Sequence, residues 1–153
     1  MRRAGLWVML GLLCAPLVRA APACAEATAV ARAFHQATVD GGLLVPPPTL
    51  VSAAFAQALS GERDCQEREQ GICTIDADPW LDAQDGDIEG AVEFSWSPTS
   101  PTAGVVEVRY RVWGEPYRTR LPMVRQGPGC WQVDDVITNS GRSVRQILAQ
   151  PLP

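Results

Sequence analysis

At Ile88 the spacing of apolar residues changes. Before it they recur three and four apart; after it they fall on every second position. A helix presents one face with a period of 3.6 and a strand with a period of two. The chain is therefore neither all-helical nor all-β. It reads as α+β: N-terminal helices packed on a curved, cone-like, four-stranded antiparallel sheet, with a short C-terminal helix. Residues 24–150 read as one such domain.

The helical half divides at its breakers. Over residues 24–39, Val30, Ala33, Phe34 and Ala37 make one apolar stripe, and Asp40-Gly41-Gly42 ends it. Pro46-Pro47-Pro48 excludes a helix interior. A second helix is expected with Thr49 as its cap, a stripe of Val51, Ala54, Phe55, Ala58 and Leu59, and a stop at Gly61. A third, short helix is expected at Asp78-Pro79-Trp80-Leu81, because Asp suits an N-cap and Pro the first helical position.

The sheet half begins with Ile88, Gly90, Val92, Phe94 and Trp96, which alternate with Glu89, Ala91, Glu93 and Ser95. Residues 97–104 are rich in Pro, Ser and Thr and read as a loop. Val106, Val108, Tyr110 and Val112 form the inner face of a second strand, and Thr119, Leu121 and Met123 that of a third. A four-residue loop, Gly114 to Tyr117, would set Tyr110 opposite Leu121 and Arg111 opposite Arg120. A five-residue loop, Arg125 to Gly129, would set Met123 opposite Trp131 and Leu121 opposite Val133. Ser143 to Ala149 forms the last helix, with Val144, Ile147 and Leu148 inward.

The N-terminus reads as an address. Arg2 and Arg3 precede an apolar run from Leu6 to Ala15, and small residues follow, with cleavage after Ala20 or as late as Ala23. This is the pattern of a secretory signal peptide. The run is shorter than the roughly 20 residues of a membrane span. The residues before Cys24 depart from a lipobox, since Ala21 stands where Leu is usual. A periplasmic or secreted location follows, without a stable span and without a lipid anchor.

Export leaves Cys24, Cys65, Cys73 and Cys130, an even number in an oxidising compartment. Four cysteines allow three pairings. Cys65 and Cys73 bracket a short polar stretch, which favours their pairing and leaves Cys24 with Cys130. Cys-x7-Cys is not a zinc-knuckle spacing, and His35 is the only histidine. Without its first 20 residues the chain keeps ten arginines against 17 acids, a net charge of −7. So acidic a chain is repelled by phosphate backbones, which excludes generic nucleic-acid binding.

Three stretches carry a resemblance. Cys73-Thr74-Ile75-Asp76-Ala77-Asp78-Pro79-Trp80-Leu81-Asp82-Ala83-Gln84-Asp85-Gly86-Asp87 is joined by Trp131-Gln132-Val133-Asp134-Asp135 and by Gly141-Arg142-Ser143-Val144-Arg145. Together they resemble a bacterial family of exported periplasmic proteins and lipoproteins of unknown function, related to the nuclear-transport-factor-2-like cone fold. The resemblance covers about residues 24–149. It implies a cone-shaped α+β domain and brings no established catalytic residues.

No nucleophile elbow, zinc-helix motif or phosphate loop occurs, and no pattern asks for a cofactor or a metal. The acidic run Asp76, Asp78, Asp82, Asp85, Asp87 and Glu89 lacks the calcium-loop spacing and reads as capping and solvated residues. His35 lies about 140° round its helix from Val30 and reads as solvated. The unusual feature is Arg109, Arg111, Arg118 and Arg120 on the outer sheet face with Trp113 beside them. Facing like charges destabilise a sheet unless Glu107 or Glu115 compensates or an anionic ligand or acidic partner is bound. The expected function is an exported, non-enzymatic binding or accessory protein of the envelope, of immunity type among others, taking a protein or an anionic ligand. The alternative is a small cone-fold isomerase for an apolar carbonyl compound, with Tyr110 and either Asp76 or Asp40 as its polar groups.

Overall fold

The computed structural model describes residues 24–125 and 129–150. The expected signal peptide lies outside them, as do Gln126, Gly127 and Pro128 of the expected turn. Helix α1 spans Ala27–Gly41 and buries Val30, Ala31, Phe34, His35 and Thr38. Helix α2 spans Ala53–Glu69. Both pack against a four-stranded antiparallel sheet in the order β1-β2-β3-β4, formed by Ile88–Ser100, Ala103–Val112, Glu115–Val124 and Gln132–Val133. A short helix α3, Val144–Leu148, follows.

Helix α2 departs from its expected bounds. Its cap is Ser52, whose hydroxyl accepts from Phe55 N at 3.1 Å, and Gly61 does not stop it. A glycine inside a helix costs about 1 kcal/mol. Here Glu62, one residue on, is buried and accepts from Thr74 N and Ile75 N at 2.9 and 3.0 Å, pinning the last two turns to the chain that follows. Cys65 is thus a helical residue, bridged to Cys73 eight positions later.

The third helix does not form. Asp78 Oδ1 accepts from Trp80 N at 2.7 Å, and Asp78 N donates to Ala83 O at 2.9 Å. A short side-chain acceptor two residues upstream competes with helical bonding and makes a turn. Asp82 then reverses the chain at φ +55. The turn delivers Trp80 to the interior, where it is 1% exposed.

The sheet corrects three expectations. Residues 97–100 continue β1 rather than looping, and Ser100 pairs with Ala103 across Pro101-Thr102. Gly104 permits this, because a Cβ there would stand 2.2 Å from the Trp96 ring. The β2–β3 connection is the two-residue turn Trp113-Gly114, with φ of +50 and +76. Two successive left-handed residues are what a type I′ hairpin needs. Tyr110 therefore faces Tyr117, Val106 faces Leu121, Arg109 faces Arg118 and Glu107 faces Arg120. The expected apposition of Arg111 and Arg120 does not exist, since Arg111 faces Pro116. At the last hairpin Met123 pairs with Val133, not Trp131. Val133 is held on its other side as well, donating to Leu50 O at 2.8 Å and accepting from Ser52 N at 2.9 Å.

Trp80, Phe34, Phe55, Leu59, Leu121 and Met123 are the largest fully buried side chains of one apolar core. Cys24–Cys130 and Cys65–Cys73 are the two disulfides, the pairing favoured by the sequence.

Candidate functional site

Three places could carry function: the interior between helices and sheet, the outer sheet face, and a cleft beside the acidic run.

The interior is filled, and the polar atoms of Trp80, Thr38, Tyr110 and Thr119 are engaged. The Trp80 indole donates to Thr38 Oγ1 at 3.0 Å, and Thr38 donates to Phe34 O at 2.8 Å. The Tyr110 hydroxyl donates to the Trp80 carbonyl and lies 2.6 Å from Thr119 Oγ1. Burial pushes the Tyr110 pKa up to about 12, against the lowering effect of the Thr119 bond. Neither Asp76 nor Asp40 hydrogen-bonds that hydroxyl, so the isomerase pair considered from the sequence is not assembled.

His35 is buried rather than solvated, at 8% exposure. Its ring meets Trp80 edge-on at 4.7 Å and Phe94 at 5.7 Å. Its Nε2 is buried without a hydrogen-bond partner. Desolvation lowers its pKa below the usual 6.5, with Asp40 pulling weakly the other way. The correction has a clear cause. Trp80 and Phe94 come from distant parts of the chain to cover a flank of α1 beside its stripe.

The outer sheet face brings the expected arginines together in a different order. Arg109 pairs with Glu107 and faces Glu93 across β1, and Arg118 approaches the same Glu107 at 3.7 Å. Glu107 is thus the compensating acid for the Arg109–Arg118 apposition. Arg111 donates to the Gly114 carbonyl, and neither it nor Arg120 makes an ion pair among the described residues. Trp113 stands at the turn, 61% exposed, with its ring against Gly86.

The three motifs of the resemblance meet in one network. Asp82 accepts from Ser140 N at 2.7 Å and from Arg142 at 2.8 Å, joining the acidic run to the C-terminal segment. Burial raises the Asp82 pKa, but the bonds from Arg142 and Ser140 outweigh it and hold the carboxyl below its usual range. Asp134 accepts from Ser52 Oγ and from Arg145, each at 2.6 Å. Asp135 is buried and accepts from Ser143 Oγ, Val136 N and Arg145 N. Glu62 behaves like Asp82: burial raises its pKa, and bonds from Ile75, Thr74 and Gln66 bring it below the usual value. None of these partners was legible in the sequence: apart from the Val136 N–Asp135 bond, each joins residues at least eight positions apart or lies within α2 beyond its expected end.

The remaining members of the acidic run do not converge. Among the described residues no three His, Cys, Asp or Glu side chains stand close enough to hold a metal ion. Asp76 and Asp78 instead edge a shallow recess of about 40 Å³ lined by Ile75, Pro79, Val144, Ile147, Thr138 and Arg142.

Comparisons with protein-family models, with curated proteins and with solved structures gave no match to this chain.

Proposed function

We propose that this chain is an exported, non-enzymatic binding or accessory protein of the bacterial envelope, with residues 1–20, or up to 23, as a cleaved leader. It belongs with the exported family that its three motifs resemble, and its bent sheet and helices form that family's cone. The observation that carries the reading is Trp80. Its ring fills the space between helices and sheet, and its indole, its carbonyl and the Tyr110 hydroxyl satisfy one another and two threonines. A site for turnover of an apolar substrate needs an open pocket with converging free polar groups; here Trp80, Tyr110 and the two threonines are spent on each other, and the one free polar atom beside them, His35 Nε2, is closed in by the Trp80 and Phe94 rings. Export is supported by two disulfides, which persist in oxidising compartments. Among the described residues no helix is long and apolar enough to cross a membrane.

The partner is a protein or an anionic ligand, and it meets the outer sheet face. Arg111 and Arg120 offer guanidinium groups without carboxylate partners, Arg109 and Arg118 lie between them on the same face, and Trp113 supplies an aromatic anchor. Arg111→Ala with Arg120→Ala tests this. The double variant keeps its stability within about 0.5 kcal/mol, as exposed charges do, and recovers less of the partner from envelope extract at low salt. Equal recovery by variant and wild type refutes the arginine face. An open substrate pocket under Trp80, shown by saturable binding of apolar carbonyl compounds, refutes the non-enzymatic reading.

A further inference from the structure

Residues 44–48 run beside α2 without covering the face they meet. Ala56, Leu59, Ser60 and Arg63 recur at the three- and four-residue spacing that sets them on one stripe of that helix. Between this stripe and Leu44-Val45-Pro46 stands a pocket of about 300 Å³. Val51 and Leu59 are buried and make its floor, while Val45 stands 65% exposed at its rim. The space runs on past Pro48, Val51 and Ala56 to Ala53, Cys130 and Gln132. From Arg63 back to Ala53 it follows about 15 Å of helix.

The lining decides what can enter. Among the described residues that line the pocket and its continuation, Arg63 alone is charged. Its Nη2 donates to Ser60 Oγ at 3.1 Å and meets Asp64 at 3.7 Å, with both charged side chains partly in water. So exposed a pair is weak. Nε and Nη1 have no partner among the described residues, so the guanidinium keeps a free edge for a second carboxylate. The facing wall is poor in main-chain donors, because Pro46 and Pro48 have no N–H. An extended peptide uses such donors; an aliphatic chain does not need them. About 300 Å³ is the lower end of ligand sites, room for one slender molecule.

We propose that this pocket binds an aliphatic monocarboxylate, a free fatty acid of medium chain length, with its carboxylate on Arg63 and its tail along α2 toward Cys130. A neutral apolar molecule would leave the guanidinium unanswered, and a cationic one would be repelled by it. A short acid would leave the apolar floor in water and forgo the gain from covering it. The site goes beyond the arginine face of the sheet and stands or falls separately from it.

The probe is decanoate, titrated below its micellar concentration into the oxidised protein at neutral pH under ¹H–¹⁵N NMR. Decanol, decylamine and butyrate serve as controls. The expected result is saturable shifts at residues 44–45, 51–60 and 63, with decanoate tighter than every control. Arg63→Met keeps the apolar stem, weakens decanoate at least about threefold, as loss of a part-exposed charge contact does, and leaves decanol unchanged. Arg111→Ala with Arg120→Ala leaves decanoate binding unchanged. No saturable shift at these residues overturns the proposal, as does decanol or butyrate binding as tightly as decanoate, or indifference of decanoate to Arg63→Met. Tighter binding at the same residues by acetyl-Gly-Leu-Leu with a free carboxylate overturns it in favour of a peptide C-terminus.

Discussion

Ser52 donates its hydroxyl to Asp134 Oδ1 at 2.6 Å across 82 positions of sequence, and the same oxygen of Ser52 caps α2. The next residue repeats the device: Asp135 takes the hydroxyl of Ser143, which caps α3. Two consecutive aspartates just after β4 therefore hold the capping serines of two different helices. Asp135→Ala strands three donors in the interior and lowers stability by roughly 1–3 kcal/mol. Asp134→Ala, less buried, costs less. Urea melts of the two variants check the order, and equal losses contradict it.

Trp80→Ala removes the largest fully buried side chain and costs roughly 3–5 kcal/mol. Trp80→Phe keeps much of the volume and loses only the indole donor to Thr38, so its loss is smaller. A loss under about 1 kcal/mol for the alanine variant in denaturant melts would place the ring outside the core.

Stability depends on pH through His35. Its folded pKa lies below the unfolded value of 6.5, so the unfolded chain takes up the proton first. Stability from this group is whole above pH 6.5 and declines as the pH falls from 6.5 toward the folded pKa. The charged and titratable groups near the ring are Asp40 on its own helix, Arg32 stacked on Phe94, and Tyr110 from β2. Glu62 and Asp82, with lowered pKa values, lose their contributions only below about pH 4.5, which separates the windows. His35→Phe flattens the decline in denaturation midpoint between pH 7.5 and 5.5. A slope unchanged by the substitution contradicts the assignment.

The oxidised protein, unfolded without reductant, exposes no titratable thiol from its four paired cysteines. On the chain-entropy model, replacing Cys65 and Cys73 by alanine costs about 2.5 kcal/mol, and replacing Cys24 and Cys130 about 4.7 kcal/mol. Thiol titration and paired urea melts test both statements. A larger loss from the short bridge would mean that it holds native structure rather than restricting the unfolded chain.

The sheet was legible as a set of faces but not as a register. Alternation from Val106 to Met123 states which side chains point inward, and that pattern excludes any connection that mixes faces. A two-residue and a four-residue turn both preserve it. The choice fell to the left-handed pair Trp113-Gly114, in which Trp113 is a residue type that rarely takes such a conformation. The end of α2 was hidden for a different reason. Gly61 signals a stop locally, and the groups that override it, Thr74 and Ile75, lie beyond the helix. The disulfides were legible because four cysteines follow the expected leader and proximity in sequence orders them. The recess beside the acidic run was not, since its two walls are about 60 residues apart in the chain and meet through the bonds that Asp82 accepts from Ser140 and Arg142.

The Cys24–Cys130 bridge ties α1 to the edge of the sheet across 106 positions and encloses the Cys65–Cys73 bridge within it. A ribosome adding about 5–20 residues per second needs on the order of 10 s to travel from the first of these cysteines to its partner. Through that interval Cys24 has no correct partner, while Cys65 and then Cys73 become available to it. Joining cysteines in order of appearance gives Cys24–Cys65 and Cys73–Cys130, two wrong bridges. If bridges form in that order, the nested arrangement is reached only by disulfide exchange, in which a free thiolate attacks a wrong bridge and releases the cysteine it needs.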